Sequence, residues 1–262
     1  MSKNHTNSNN SVLAIVAHPD DAEFLCAGTL SLLYQKGWQV HMATMTAGDC
    51  GSRNLPPEEI SRIRKAEAQK AADIINAGYQ CLGSKDLFIM YDRPTLLNVI
   101  EQVRRVKPAI VLTMSPSCYM VDHETTSKLV QSACFAAGIV NINTDPVSPY
   151  FHVPHLYYMD PMEGKDKFGN SIEPGFVVDI TPVMDVKEKM LGCHESQRTW
   201  LQEHHGMDEY MDTMKQLSRD RGNLGGVRYA EGFRQHLGHG YPQDNLLQKV
   251  LENAVKPVKQ KS

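Results

Sequence analysis

The sequence predicts an α/β fold: a doubly wound, mostly parallel, Rossmann-like sheet with a C-terminal cap of loops, strands and helices. Between Val12 and Gly138, apolar runs of strand length alternate with amphipathic segments of helical period. The chain has 262 residues, 41% of them hydrophobic, which is enough to bury a sizeable core. Because strand–helix–strand crossovers between parallel strands are right-handed, this alternation favours one continuous domain.

The N-terminal half provides the clearest elements. Apolar or alternating segments predict strands at 12–17, 39–46, 79–82 and 109–114. Helical periods predict helices at 22–36, 57–76, 95–106 and 124–138, and Gly37 and Gly78 are typical of helix ends. Since parallel strands end at the same edge of a sheet, residues that follow the first and the fourth strand are expected to lie close together.

The pattern weakens after Gly138, where several prolines break it. Strands are predicted at 156–159 and 176–180, helices at 182–194 and 207–219, and loops at 164–175 and 223–226. We interpret residues from about 140 onward as the cap that shapes the pocket. The predicted organisation is a disordered start at 1–11, a single domain at 12–256 and a loose tail at 257–262.

Composition restricts the partners and the cellular compartment that are expected for this sequence. The net charge is −3 and no basic stripe is present, so nucleic acid is not expected to bind. Six cysteines without a CxxC pair indicate reduced thiols in a cytoplasmic protein. The polar start lacks the apolar core of a signal peptide, and no apolar run is long enough to span a bilayer.

The segment AHPDDAE at 17–23 directly follows the first predicted strand. Open α/β sheets carry their chemistry at such strand ends. One imidazole, His18, and two carboxylates, Asp20 and Asp21, are ligand types of a Zn²⁺ hydrolase and include a candidate base. The residues alone leave an alternative open, since Pro and Asp also favour a turn followed by a helix N-cap.

AHPDDAE, Gly28-Thr29 and the pair Asp122-His123 at the start of a later helix resemble the LmbE / PIG-L family of zinc-dependent de-N-acetylases. This family includes N-acetylglucosaminyl-phosphatidylinositol deacetylase and the deacetylases of mycothiol and bacillithiol synthesis. The resemblance extends from about Val12 to about Phe233. It implies a bound Zn²⁺ and hydrolysis of the acetamide of an N-acetylated amino sugar or glycoside, which releases acetate and a free amine.

The same resemblance assigns roles within the site. It implies that His18, Asp21 and His123 bind the zinc and leave one position for water. Because neighbouring side chains point apart, Asp20 does not readily join Asp21 as a ligand and is the predicted general base. Asp122 is expected to orient an imidazole, and as an alternative to cap the helix that follows it; both can hold at once.

The chain departs from the family just before this helix. Family members usually carry His-Pro there, and this chain has Met120-Val121. A thioether cannot stabilise an oxyanion or protonate a leaving amine as that histidine is thought to do. His194, in a His-x-Ser-Gln segment of the family, is the best substitute, although a structural hydrogen bond at a helix end explains it as well. His152 and His155 are weaker alternatives.

Arg64 and Asp86 stand where the family carries residues that contact sugar substrates. Guanidinium and carboxylate groups suit polyols because they form paired hydrogen bonds. The alternative for Arg64 is an ion pair on the helix surface with Glu67 or Glu59. Residues 229–233 also match a family segment, Tyr-Ala-Glu-x-Phe. A purely structural role is the alternative to a role in substrate binding for this segment.

Three other functions stay open at this point. An amidase of larger conjugates, such as thiol adducts, would use the same residues. A metal-binding or ligand-sensing protein with lost activity would explain Met120, but Asp20 argues against it because a zinc holder needs no base there. Dinucleotide binding is disfavoured, since the turn after the first strand has no GxGxxG. A homo-oligomer is possible.

Overall fold

One sheet organises the residues that the computed structural model describes, which are 10–144, 146–198 and 209–258. Within these residues it has eight strands in the order β3-β2-β1-β4-β5-β7-β6-β8. The strands are β1 (Ser11–Val16), β2 (Gln39–Thr46), β3 (Gly78–Ser84), β4 (Ile110–Thr113), β5 (His155–Met159), β6 (Phe176–Asp179), β7 (Ala230–Gln235) and β8 (Val255–Pro257). The predicted α/β class is confirmed.

Helices flank the sheet on both faces. They include α1 (Asp21–Leu25), α2 (Ala27–Gln35), α3 (Pro57–Asp73), α4 (Arg93–Val106), α5 (Val121–Ala136), α6 (Met184–Leu191), α7 (Glu209–Gly225) and α8 (Leu246–Leu251). Strand β1 is buried along its whole length. Its side chains alternate between two apolar cores, with Val12 and Ala14 in one and Leu13 and Ile15 in the other. Burial on both faces explains the unbroken apolar run of β1 in the sequence.

Strands β1 to β4 are parallel, as predicted, and β5, which was predicted as part of the cap, is parallel to β4. β1 lies between β2 and β4, and Val12 pairs with Val40 on one side and with Ile110 on the other. The carboxyl ends of β1 and β4 therefore lie side by side. This arrangement brings the turn after β1 next to the segment that leads into α5.

Much of the region predicted as a cap belongs to the sheet. β7 is antiparallel to both β5 and β6, and β8 is antiparallel to β6. The loop predicted at 223–226 is wrong over most of its length, because α7 continues to Gly225. Gly222 and Gly225 mark close packing there: a Cβ on Gly222 would lie 2.6 Å from the carbonyl oxygen of Val227, and one on Gly225 would lie 2.5 Å from Val177.

The single helix predicted at 22–36 is interrupted at Cys26, whose φ is −143°. The backbone groups that the break releases have buried partners. Lys187 Nζ donates to the carbonyl of Phe24 at 2.7 Å, and Glu231 accepts from the N–H groups of Gly28 at 2.9 Å and Thr29 at 2.7 Å. Partners so distant in sequence give no local signal, which is why the helical pattern concealed the break.

Glu231 holds this junction together, since it also pairs with buried Lys187 at 2.6 Å. We expect Glu231→Ala to lower the free energy of unfolding by ~3–5 kcal/mol, because it leaves a buried ammonium without its partner. The measurement is a urea titration. Glu101→Ala is the matched control, since Glu101 pairs with Arg105 on the surface of α4. Equal midpoints for the two variants would contradict this account of Glu231.

Both ends of the predicted domain shift slightly. Ser11 already lies in β1, so the predicted start 1–11 is too long, and β8 includes Pro257, so the tail begins later than 257. The rest of the predicted start, residues 1–9, and residues 259–262 of the tail lie outside the described residues. The first predicted residues of helix 207–219 lie outside them too. Among the described helices, none has the length and apolar character that crossing a membrane requires.

Candidate active site

The turn after β1 and the start of α5 meet at the carboxyl edge of the sheet. The first provides His18 and Asp21, and the second provides His123 in the first turn of α5. Their ligand atoms all lie within 4.8 Å of one another, and all three residues are buried. The structure thus brings together the three residues predicted as metal ligands.

The geometry of this cluster fits a divalent cation. Asp21 Oδ2 lies 3.4 Å from His18 Nδ1, and Asp21 Oδ1 lies 3.4 Å from His123 Nε2. These separations are long for hydrogen bonds, yet ligand atoms held at about 2.1 Å around a tetrahedral Zn²⁺ lie about 3.4 Å apart. The backbone N–H of His18 donates to Asp21 Oδ2 at 2.8 Å, which fixes the carboxylate.

Each imidazole has a partner on its other nitrogen. His18 Nε2 lies 3.2 Å from Asp122 Oδ2, and His123 Nδ1 lies 3.2 Å from the sulfur of Cys118. Asp122 also accepts from the backbone N–H of Leu87 at 2.8 Å. Partners of this kind fix the orientation of metal-binding histidines. The alternative that Asp122 caps α5 is wrong, because the N-cap position is Met120.

The charges of the cluster are strongly coupled. Burial lowers the pKa of His18, but hydrogen bonds with Asp122 and Asp21 outweigh it and raise that pKa to about 9. Burial likewise lowers the pKa of His123, and the charge of Asp21 raises it to about 10. Asp122 Oδ1 is buried without a hydrogen-bond partner. The carboxylates therefore require positive charge in contact with them, which protons or a cation supply.

Asp20 lies beside this cluster and has different partners. Its backbone is left-handed, with φ 109°, a region that few residues other than glycine adopt. Asp20 Oδ2 accepts from the hydroxyl of Tyr210 at 2.7 Å and lies 3.4 Å from Arg64 Nη2. Burial raises the pKa of Asp20 above its usual value. A carboxylate with a raised pKa is a stronger base than an exposed one.

Arg64 is buried and supports the turn that carries Asp20. Its Nη2 donates to the carbonyl of Pro19 at 2.7 Å, and its guanidinium packs against Gly48, where φ is 72° and a Cβ would clash. The predicted alternative of an ion pair with Glu67 is wrong, because Glu67 accepts from the backbone N–H and the hydroxyl of Ser196 instead.

Asp86 is nearly buried and faces the same cleft. It accepts from Thr46 Oγ1 at 2.6 Å and from the N–H of Cys50 at 3.1 Å, and it lies 3.6 Å from His18 Nε2. With His18 and Asp122 it forms a second group that could hold a metal. The two groups share His18 and so belong to one site.

His194 does not line the cleft. It is fully buried, and its Nε2 lies 3.1 Å from Glu23 Oε1, close enough for charge pairing although not aligned for a hydrogen bond. Burial lowers the pKa of His194, and the Glu23 charge raises it above its ordinary value. His194 is therefore enclosed where a substrate does not reach it, and its charge opposes the effect of burial on the pKa of Asp20. His152 and His155 line a cavity at the opposite, amino ends of the strands.

The site opens into a cleft of about 410 Å³. Besides the predicted residues, Tyr210, Tyr119, Leu87, Met120 and Met162 line it. Sequence reasoning did not identify Tyr210 or Cys118 as site residues. No motif surrounds Tyr210, and Tyr210 and Asp20 are 190 positions apart in the chain. Cys118 stands five positions before His123, and that short spacing was the available signal.

Comparisons with known proteins find similar sequences. Residues 13–134 match the family model described as PIG-L, GlcNAc-PI de-N-acetylase. A diacetylchitobiose deacetylase of Thermococcus kodakarensis is 27% identical over 233 residues, 85% of this chain and 82% of the relative. A 4-oxalmesaconate hydratase of Pseudomonas putida is 25% identical over 203 residues, 74% of this chain and 77% of the relative.

A solved structure is also similar. N,N′-diacetylchitobiose deacetylase from Pyrococcus horikoshii, complexed with its inhibitor MPG, matches with a TM-score of 0.75 at 26% identity. The match covers 90% of this chain and 88% of that chain. The similarity therefore includes the C-terminal strands that follow residue 134, where the family match ends.

Proposed function

We propose that the chain is a zinc-dependent hydrolase that removes the acetyl group from an N-acetylated amino sugar or glycoside, because residues 13–134 match the PIG-L family model. One observation carries the proposal. A three-residue group suited to a cation, His18, Asp21 and His123, lies in one cleft with a carboxylate, Asp20, that has its own separate partners. A site that only held a metal would not need the second carboxylate.

His18, Asp21 and His123 would hold the cation. When bound, such a cation lowers the pKa of water towards neutrality and polarises a carbonyl oxygen. Asp122 and Cys118 keep the two imidazoles in position through their second nitrogens. These contacts allow the ligands to keep one arrangement whether or not a substrate is present.

Asp20 moves the proton. It accepts a proton from the attacking water and returns it to the nitrogen of the departing amine, so that the amide C–N bond breaks and acetate and a free amine form. Tyr210 and Arg64 fix the orientation of its Oδ2. Asp86 and Arg64, which line the cleft, are the proposed contacts for sugar hydroxyls.

The direct test combines a metal analysis with an acetate-release screen over N-acetylglucosamine derivatives. We expect about one tightly bound divalent ion per chain and acetate release that a chelator stops and added Zn²⁺ restores. Hydrolysis of a larger thiol conjugate without hydrolysis of amino sugars would favour the amidase. Bound metal without any hydrolysis would favour a metal-binding protein with lost activity.

Met120 on the cleft wall supports a second candidate, hydration of a carbon–carbon double bond. One relative is named a 4-oxalmesaconate hydratase. In hydration the base takes a proton from water as the C–O bond forms and returns it to the other carbon of the double bond; no amine departs, so the leaving-group acid that Met120 cannot provide is not needed. Loss of the 4-oxalmesaconate absorbance on incubation with the protein, without acetate release in the amino-sugar screen, would establish this function instead.

Met120→His tests the role of the missing imidazole. We expect amide hydrolysis to rise on the order of tenfold, a part of the ~10²–10³-fold that a well-placed oxyanion donor supplies. Met120→Leu is the matched control, of similar size but without a hydrogen-bond donor, and metal content is measured in both. If the rate of Met120→His equals that of the unaltered protein, the missing imidazole does not limit amide hydrolysis.

A further inference from the structure

The cleft has two chemically different sets of lining residues. The buried set is polar and contains the cluster of His18, Asp21 and His123. The other set is apolar: Leu87, Tyr119, Met120 and Met162. Leu87 and Tyr119 are 64% and 63% exposed, so this apolar set faces solvent at the mouth of the cleft.

Leu87 is held in an unusual conformation. Its φ is 66°, in the left-handed region that leucine rarely adopts. Its N–H donates to Asp122, the carboxylate beside His18, at 2.8 Å. Residues kept in such conformations cluster at functional sites, because only the surrounding structure can maintain them. The backbone contact ties Leu87 to the polar cluster and leaves its apolar side chain at the mouth.

Leu87 also begins an exposed apolar run. Phe88, Met90 and Tyr91 follow it with 70%, 60% and 55% of their surface exposed. Single exposed apolar residues are ordinary, whereas contiguous exposed apolar patches mark binding surfaces. This run borders the cleft and is continuous with its lining through Leu87.

The apolar set extends to the metal cluster. The Tyr119 ring lies edge-on to the His123 ring with centroids 5.9 Å apart. Next to it, Met120 adds an adaptable apolar side chain to the lining of the cleft. A group bonded directly to a reacting sugar would therefore contact the apolar lining rather than a polar one.

We propose that the substrates are N-acetyl amino sugars bonded to an apolar aryl or alkyl aglycone, and that Leu87, Phe88, Tyr119 and Met120 bind this aglycone. The inference rests on the proposed deacetylase function. The occupant is the aglycone of the substrate, because the patch adjoins the catalytic cleft and shares residues with it. A second sugar would bury less apolar surface against these side chains than an aryl or alkyl group would.

The test compares benzyl and methyl glycosides of N-acetylglucosamine, which differ only in the aglycone. Hydrolysis by the metal-loaded protein is measured as acetate release, and the binding of both glycosides is measured by calorimetry. We expect kcat/KM and affinity for the benzyl glycoside to be higher on the order of tenfold or more. Leu87→Ser and Tyr119→Ala should reduce the benzyl-to-methyl ratio. Leu237→Ser, at a 57% exposed leucine that does not line the cleft, should leave this ratio unchanged.

Each other outcome overturns the inference in an identifiable way. Equal hydrolysis of both glycosides leaves the deacetylase function standing and removes the apolar aglycone. Faster hydrolysis of N,N′-diacetylchitobiose than of the benzyl glycoside assigns the lining to a second sugar. If Leu87→Ser changes the sedimentation of the protein but not the ratio, the patch is an interface between copies. If neither glycoside binds or reacts, the proposed function fails and the inference fails with it.

Discussion

The His123→Ala variant is expected to lose nearly all of its bound metal and all measurable hydrolysis. His123 provides the ligand atom that comes from α5, and its Nε2 lies 3.4 Å from Asp21 Oδ1. Apart from His18, the described lining of the cleft has no other imidazole that could replace it. Removing a hydrogen-bond partner of a ligand typically costs ~10–100-fold in metal affinity, and removing the ligand itself should cost more. His18→Ala should behave in the same way. The measurement is metal content by mass spectrometry after dialysis.

His155→Ala is the matched control. His155 pairs with Asp244 at 3.0 Å, near the amino ends of the strands and away from the cleft. Its substitution removes the same side chain without touching the site, so metal content should not change. Circular dichroism of all three variants separates loss of metal from loss of fold. Full metal occupancy in both His18→Ala and His123→Ala would refute the assignment of these two ligands.

The central strands and the AHPDDAE turn could be predicted because their signals are local. A strand that is buried on both faces, such as β1, has a continuous apolar run. The turn that follows it contains His18 and the consecutive aspartates Asp20 and Asp21. Parallel pairing then predicted that His123 would return to the edge occupied by His18. The structure places the two rings 5.4 Å apart.

The parts that could not be predicted depend on partners far apart in the chain. β7 carries Glu231 and Arg234 among its six residues, so no apolar pattern marked it as a strand. Glu231 is stable there because Lys187 and the amides of Gly28 and Thr29 surround it. The same network interrupts the helix at Cys26. Buried polar contacts of this kind follow from the assembled fold and leave no local pattern.

The partners of Asp20 show the same limit. The sequence predicted a base at this position but connected Arg64 to the sugar or to Glu67. In the structure Arg64 donates to Pro19 and lies 3.4 Å from Asp20, and Tyr210 donates to Asp20 from α7. A side chain predicted to contact the substrate or a neighbouring glutamate thus supports the turn that carries the base.

The Asp20→Asn variant is expected to keep its metal and lose on the order of 10²-fold or more in kcat, the usual contribution of a positioned general base. The amide has nearly the shape of the carboxylate and can still accept from Tyr210, but it cannot take a proton from water. Asp185→Asn, at an exposed carboxylate on α6, is the matched control and should change neither property. Loss of metal with loss of rate would make Asp20 a ligand, and an unchanged rate would remove it from the reaction. Tyr210→Phe should give a smaller loss than Asp20→Asn, since it releases the base without removing it.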